Sequence, residues 1–245
     1  MRIDDRLHLV MSGALGIDLT DPLDCNVYLV GFNDGWLLFD SGAGRSVDAT
    51  LAALPGEGVD PKDIKALFLT HGHADHSAGA ARIRETLGVR VIAGAATAAM
   101  VAGGQEDAIS LTSARQGGGY PADFVYRACP VDQIVADGEQ LSFGDTRVTV
   151  LATPGHSHDH TAFLVEQPGR AMLIAGDALF HGGRVGVQNV YDCSVPEICR
   201  SVTRLADCDY DMLLPGHGPF SLRDGRRHAD SAMAYVRRNA CPPSI

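Results

Sequence analysis

The sequence predicts a mixed α/β or α+β domain in which sheets and helices form layers. Short runs of β-branched and aliphatic residues recur between turn-forming sequences, and patterns with helical spacing lie between these runs. Elements that alternate in this way pack as layers around a common core. With 245 residues, of which 45% are hydrophobic, we expect one domain over residues 1–245 with a substantial core.

The predicted strands are short and end in turn-forming residues. The turn sequences FNDG (32–35) and EQPG (166–169) separate some of them. The runs that predict strands are NVYLVGF (26–32), WLLFDSG (36–42), KALFLTH (65–71), VRVIAGA (89–95), TRVTVLATPG (146–155), TAFLVE (161–166), AMLIAGD (171–177) and DMLLPGHG (211–218).

Three segments have helical patterns. The first, 77–87, is rich in alanine, and the third covers 224–238. The second, 195–205, follows Ser194 as the expected N-cap and repeats its apolar residues with helical spacing. The least regular stretch, 105–126, contains QGGGYP, and it is either a loop or lid over a site or a plain surface insertion.

Charge and composition exclude several function classes. The formal net charge of −10 would repel nucleic acid, and no run approaches the ~20 apolar residues of a membrane span. The amino-terminal sequence does not have the pattern of a signal peptide, and the six cysteines form no C-x-x-C pair. We therefore expect a cytoplasmic protein with a small-molecule partner. A homodimer is the oligomer that general frequencies favour.

Polar residues stand at the ends of several predicted strands, each close to a glycine. Buried strands that deliver polar residues at the same end build a site at that edge of the sheet. Glycine beside each of them permits sharp turns and close backbone approach. The residues concerned are Asp40, His71, His156, Asp177 and His217.

The segment LTHGHADHSAG (69–79) places three histidines and one aspartate within six positions. A polar surface and a metal site both fit this segment by itself. His71 and His73 can hold one cation, and Asp75 and His76 can face a second. With His156, Asp177 and His217, the set comprises five imidazoles and two carboxylates, which suits two borderline metals. Zinc is the expected metal, with iron or manganese as alternatives.

The motifs THGHADH, TPGHSHDH, GDALF and PGHGP, in this order, resemble those of the metallo-β-lactamase fold hydrolases. This superfamily includes glyoxalase II and the homoserine lactonases. The resemblance extends from DCNVYLV (24–30) and DSG (40–42) to PGHGP (215–219). It implies a four-layer αββα sandwich with the site at one edge.

The resemblance also implies roles for the ligand set. His71, His73 and His156 would hold one Zn²⁺, Asp75, His76 and His217 would hold a second, and Asp177 would bridge them. Asp40 would not bind a metal itself but would fix the orientation of the ligand rings, as hydrogen-bonded carboxylates do in metal sites. A hydroxide shared by the two metals would attack the carbonyl of a small ester, thioester, lactone or amide. Asp75 is the candidate proton shuttle to the leaving group.

Some positions depart from the families resembled. β-Lactamases lack the bridging aspartate, so Asp177 argues against that activity. Lactonases place a tyrosine, which contacts the substrate carbonyl, three residues after the bridging aspartate, where this chain has Phe180. His181 or Tyr191 are the candidates to replace that contact. All three residues are expected at the substrate pocket. Within the motif TPGHSHDH, the resemblance makes only His156 a metal ligand, so His160 is expected to pack beside the site.

Two alternatives use the same fold. Persulfide dioxygenases also carry an H-x-H-x-D-H segment and use one iron, for which His71, His156 and Asp177 would be the ligands here. The late PGHGP motif favours the hydrolases. A non-catalytic binding module is the second alternative, but such members typically lose ligands and this chain lacks none.

Overall fold

The computed structural model describes all 245 residues, in two compact units, Met1–Val135 and Ala136–Ile245. Each unit contains one β-sheet. The prediction of one domain over residues 1–245 stays a prediction. None of the helices combines the length and the hydrophobicity that a transmembrane helix requires.

The first unit is built on a seven-stranded sheet whose strands follow each other in chain order. The first four strands are antiparallel, and the last three add in parallel. The strands are β1 (Arg2–Asp4), β2 (Leu7–Met11), β3 (Val27–Phe32), β4 (Gly35–Phe39), β5 (Ile64–Phe68), β6 (Arg90–Gly94) and β7 (Gln133–Val135).

The parallel strands of the first unit are joined by helices, as parallel connections require. The helices are α1 (Val47–Ala53), α2 (Ala74–Ser77), α3 (Ala80–Leu87), α4 (Ala95–Gly103) and α5 (Leu111–Gln116). The predicted helix 77–87 corresponds to α3, which begins three residues later, and Ser77 is the last residue of α2. Helix α3 ends at Gly88, whose left-handed conformation (φ 67°) terminates the helix. Helix α5 lies inside the stretch 105–126.

The second unit contains a five-stranded sheet in the order β12-β11-β10-β9-β8. Only β11 and β12 are parallel, so both end at the same edge. The elements are β8 (Gln140–Phe143), β9 (Thr146–Ala152), β10 (Thr161–Gln167), β11 (Arg170–Gly176), α6 (Val195–Ala206), β12 (Met212–Pro215) and α7 (Arg226–Val236).

Helix α6 begins at the predicted residue and has the predicted buried face. Ile198, Val202 and Leu205 lie on one face and are buried against the sheet. Ser194 precedes the helix as predicted, but its side chain makes no capping hydrogen bond. Its backbone N–H instead donates to the Gly155 carbonyl at 2.7 Å, which ties the start of α6 to the loop before His156.

Candidate metal centre

In the first unit, the predicted ligands lie on the loop after β5 and on the single turn of α2. The rings of His71 and His76 are fully buried, and His73 is 7% exposed. The ring centroid of His71 lies 4.6 Å from that of His73 and 4.2 Å from that of His76. Three buried imidazoles in contact present several nitrogen donors to one small volume, which is the arrangement that a borderline metal requires.

Asp40 organises this histidine cluster. It follows β4 directly and has a left-handed backbone (φ 62°), which aspartate tolerates better than most residues. Its carboxylate accepts hydrogen bonds from the backbone N–H of Thr70 (2.8 Å) and from Nδ1 of His76 (2.8 Å). With Nδ1 donating, Nε2 of His76 carries the lone pair that a metal needs.

Thr70 extends the effect of Asp40 to a second histidine. Its hydroxyl lies 2.9 Å and 3.1 Å from the two carboxylate oxygens of Asp40 and 3.0 Å from Nδ1 of His71. A hydroxyl has one hydrogen, so when it donates to Asp40 it accepts from Nδ1–H of His71. The same carboxylate therefore fixes the tautomers of His71 and His76, one of them through Thr70.

Cys25 also lies in this cluster. Its sulfur, a carboxylate oxygen of Asp40 and a ring nitrogen of His76 all lie within 4.8 Å of one another. Burial raises the pKa of the Cys25 thiol to about 12, although His76 acts in the opposite direction. Cys25 therefore packs beside Asp40 as a neutral thiol.

Asp75 is the carboxylate of this ligand set. Its Oδ2 lies 3.6 Å from Nε2 of His76, and its Oδ1 accepts a hydrogen bond from the Tyr120 hydroxyl at 3.2 Å. One oxygen is thus turned towards a predicted ligand and the other towards a side chain from the irregular stretch. The role of Asp75 as a proton shuttle stays a prediction.

In the second unit, His156 and His217 each place a ring nitrogen near the same carboxylate oxygen of Asp177. Asp177 follows β11 directly, and His217 follows β12, so the parallel pairing of these strands brings them to one edge. Oδ2 of Asp177 lies 3.4 Å from Nε2 of His156 and 3.5 Å from Nε2 of His217. Two ligands on one tetrahedral zinc lie about 3.3 Å apart, since each bond is about 2.0 Å long. The residues therefore fit metal ligands.

This geometry refines how Asp177 could serve two cations. From the sequence, each of its two oxygens could bind one cation. In the structure, the same oxygen, Oδ2, lies near both imidazoles, and all three residues are at least 95% buried. A carboxylate oxygen in this position can be shared by two cations.

The backbone of Gly186 orients His156. Its carbonyl lies 3.0 Å from Nδ1 of His156, so Nδ1–H donates to it and Nε2 faces Asp177. A Cβ at position 186 would lie 2.5 Å from Nδ1 of His156 and 3.0 Å from the Asp177 carbonyl oxygen. Only glycine allows the chain to pass this close to the ring.

His160 lies behind Asp177. Its Nε2 accepts the backbone N–H of Asp177 at 2.9 Å, and its Nδ1 lies 2.8 Å from the hydroxyl of Thr153. Because Nε2 accepts a hydrogen bond, the neutral ring carries its proton on Nδ1. His160 thus uses both ring nitrogens to position Asp177, while the neighbouring His158 is exposed.

The three candidates for the substrate pocket lie in different environments. Phe180 is buried, with its ring 6.4 Å from that of His217. His181 is exposed and its ring packs against His228, with 4.4 Å between centroids. Tyr191 is 64% exposed, and its ring lies 5.9 Å from that of His158. Phe180 thus lies beside a predicted ligand, and the pocket roles of all three stay predictions.

Several residues that organise the ligands were not predicted from the sequence. The contacts of Tyr120, Tyr126 and Gly186 span 45, 49 and 30 positions, so spacing in the chain gives no sign of them. Each of the other three contacts a histidine at most seven positions away. Thr70 had the clearest signal, since it immediately precedes His71. The other unpredicted residues are Ser77, Tyr120, Tyr126, Thr153 and Gly186.

Comparisons with known proteins agree on one family. The family model described as the metallo-beta-lactamase superfamily matches residues 20–217. A hydroxyacylglutathione hydrolase of Acidiphilium cryptum is 28% identical over 87% of this chain and 76% of its own length. Another, of Rhodopseudomonas palustris, is 31% identical over 74% of this chain, which spans 60% of that relative. An atrochrysone carboxyl ACP thioesterase of Aspergillus fumigatus is 26% identical over 79% of this chain and 50% of its length.

Solved structures give the same fold. A metallo-beta-lactamase from Cronobacter sakazakii has a TM-score of 0.72 and 22% identity, covering 98% of this chain and 96% of its own. The FEZ-1 metallo-beta-lactamase from Legionella gormanii has a TM-score of 0.71 and 20% identity, covering 98% and 94%. At these identities the likeness shows the fold alone, and it confirms the predicted fold class. The chain belongs to the metallo-beta-lactamase superfamily.

Proposed function

We propose that the chain is a dinuclear metal-dependent hydrolase of a small carbonyl compound, and that a thioester is its substrate class. The position of Asp177 Oδ2, within 3.5 Å of Nε2 of both His156 and His217, carries this proposal. Two relatives support the substrate class, since one is named for an acylated glutathione and another as an ACP thioesterase. Esters, lactones and amides are the other carbonyl classes that such a site could hydrolyse.

The proposal assigns the seven ligands as the resemblance implies. His71, His73 and His156 would bind one ion, Asp75, His76 and His217 the other, and Asp177 both. Zinc is the proposed metal, with iron or manganese as alternatives. When bound, the two ions would supply Lewis acidity and lower the pKa of water towards ~7.

The residues of the chain would orient the ligands. Asp40 holds Nδ1 of His76, Thr70 holds Nδ1 of His71, and the Gly186 carbonyl holds Nδ1 of His156. In each case the hydrogen bond directs Nε2 away from the supporting group. Such partners fix ring orientation and raise ligand basicity, and their loss typically costs 10–100-fold in metal affinity or activity.

Metal content and turnover together test the proposal. Protein purified without added metal or nickel affinity resin would be analysed by inductively coupled plasma mass spectrometry. We expect two metal ions per chain, together with hydrolysis of an S-acyl thioester. A panel containing an aryl ester, a lactone and a β-lactam would compare the carbonyl classes. One iron per chain with oxygen-dependent persulfide oxidation would instead support the dioxygenase, and no metal would contradict the proposal.

A cytoplasmic location, the absence of a nucleic-acid partner and a homodimeric state stay predictions. Size-exclusion chromatography with light scattering tests the oligomeric state, and cell fractionation tests the location.

A further inference from the structure

The stretch 105–126 packs against the helix that carries two of the predicted ligands. Ile109, Leu111 and Phe124 are buried in one cluster with Ala74 and Ala78. Ala74 precedes Asp75, and Ala78 follows the end of α2. The apolar face of this stretch therefore rests on the metal-binding turn.

Ionic and backbone contacts brace the stretch internally. Arg115 donates to both carboxylate oxygens of Glu106, at 2.7 Å and 3.0 Å, and to the Phe124 carbonyl at 2.9 Å. These contacts join its beginning, its short helix and its end. The stretch can therefore hold a side chain in a defined position over α2.

Tyr126 secures the backbone of the H-x-H turn. Its hydroxyl lies 2.8 Å from that of Ser77, which lies 2.8 Å from the Gly72 carbonyl and 3.1 Å from the His73 carbonyl. The Ser77 hydrogen is directed to these carbonyls, so Tyr126 donates to Ser77. This contact holds the backbone that carries His71 and His73.

Tyr120 contacts a predicted ligand directly. Its hydroxyl donates to Oδ1 of Asp75 at 3.2 Å, while Oδ2 of Asp75 lies 3.6 Å from Nε2 of His76. A carboxylate has no hydrogen to donate, so the Tyr120 hydroxyl is the donor in this contact.

We propose that Tyr120 is a positioning residue for metal binding, which holds Oδ1 of Asp75 so that Oδ2 stays on the side of His76. This inference rests on the proposed function, in which Asp75 and His76 bind the same ion. It assigns to the stretch 105–126 the role of fixing one ligand of that ion. The affinity for that ion would then depend on a hydroxyl 45 positions from the carboxylate.

The test is Tyr120→Phe, which removes the hydroxyl and keeps the ring. Stepwise zinc affinities would be measured by competition with a chromophoric chelator, with no substrate present. We expect one affinity to fall about 10–100-fold and the other to stay unchanged. Tyr235→Phe is the matched control, because Tyr235 is 44% exposed on α7, in the second unit. The melting temperature of the metal-free protein should change no more than in this control.

A double-mutant cycle with Asp75→Ala, which removes the oxygen that accepts from Tyr120, separates positioning from a general structural effect. If Tyr120 acts through Asp75, adding Tyr120→Phe to Asp75→Ala should change zinc affinity less than about two-fold. Unchanged affinities in Tyr120→Phe, or equal losses with and without Asp75, would overturn the inference while leaving the proposed function intact. A wild-type chain that binds no zinc would overturn both.

Discussion

The carboxylate of Asp40 lies 2.8 Å from Nδ1 of His76, although the two residues are 36 positions apart. Both are at least 98% buried. A buried carboxylate needs several donors to offset its desolvation, and Thr70 supplies the others through its backbone N–H and hydroxyl. These hydrogen bonds therefore stabilise the buried carboxylate of Asp40 beside the histidine cluster.

Replacing Asp40 with Asn should weaken metal binding about 10–100-fold, because the neutral amide no longer raises the basicity of His76. Zinc affinity by chelator competition measures the change. Asp34→Asn, in an exposed turn of the same sheet, is the control. Wild-type affinity in Asp40→Asn would show that the carboxylate charge has no role in metal binding.

A methyl group at position 186 should displace His156. In Gly186→Ala, the new Cβ would lie 2.5 Å from Nδ1 of His156, so the ring or the loop must move. We expect the variant to fold but to retain less metal after dialysis, as measured by mass spectrometry. Gly56→Ala is the matched control, since a Cβ there meets no atom within 4 Å. Equal metal retention in the two variants would contradict this account.

Asp177→Asn tests the shared carboxylate. The change keeps the side-chain shape but removes the charge that faces His156 and His217. Since loss of an outer partner costs 10–100-fold, loss of a shared ligand should lower turnover more than about 100-fold and release at least one ion. Metal stoichiometry and thioester hydrolysis are the two measurements, with the exposed Asp211→Asn as the control. Near-normal turnover with two bound ions would rule out a bridging role.

The pH dependence of stability should contain a contribution from His228. This ring is 3% exposed; its Nδ1 accepts the Gly182 N–H at 2.9 Å and its Nε2 lies 2.7 Å from the Ser221 hydroxyl. Burial, and then the neighbouring His181, lowers the pKa of His228 from 6.5 to about 4. Between pH 6.5 and about 4, His228 is protonated in the unfolded chain and neutral in the folded chain. Its contribution to the free energy of unfolding is therefore full above pH 6.5 and is lost as the pH falls towards 4.

Denaturant unfolding at several pH values tests this contribution. We expect the unfolding free energy of His228→Gln to fall less steeply than that of the wild type between pH 6.5 and 4. Because acid also removes metal from histidine ligands, both proteins would be compared with chelator present. Identical slopes would show that His228 is protonated equally in the folded and unfolded states.

Strands and their polar ends were the part of the fold that the sequence predicted best. Alternation of apolar runs with turns is a local property, so β3, β4, β5, β6, β9, β10, β11 and β12 follow from it directly. Helix α4 did not, because AATAAMVAG has no polar face to reveal a helical period. Strands β1, β2, β7 and β8 were not predicted either, and each has at most five residues.

In the candidate site, the sequence indicated the candidate ligands and the supporting residues Asp40 and His160, but not the partners that hold them. Histidines and aspartates at strand ends form a chemical pattern that is visible along the chain. The contacts of Asp40 with Thr70, of His156 with Gly186 and of Asp75 with Tyr120 span 30, 30 and 45 positions. Such pairs depend on how the chain folds back on itself, which spacing alone does not encode.

The left-handed backbone of Asp40 has a consequence for how this position tolerates mutation. Glycine would accept the φ of 62° but has no carboxylate, and glutamate has a carboxylate but a backbone that disfavours this conformation. Asparagine meets the backbone requirement and lacks the charge. In a saturation library selected for metal binding, we expect codon 40 to return aspartate almost alone. Selection for folding alone should also return asparagine and glycine.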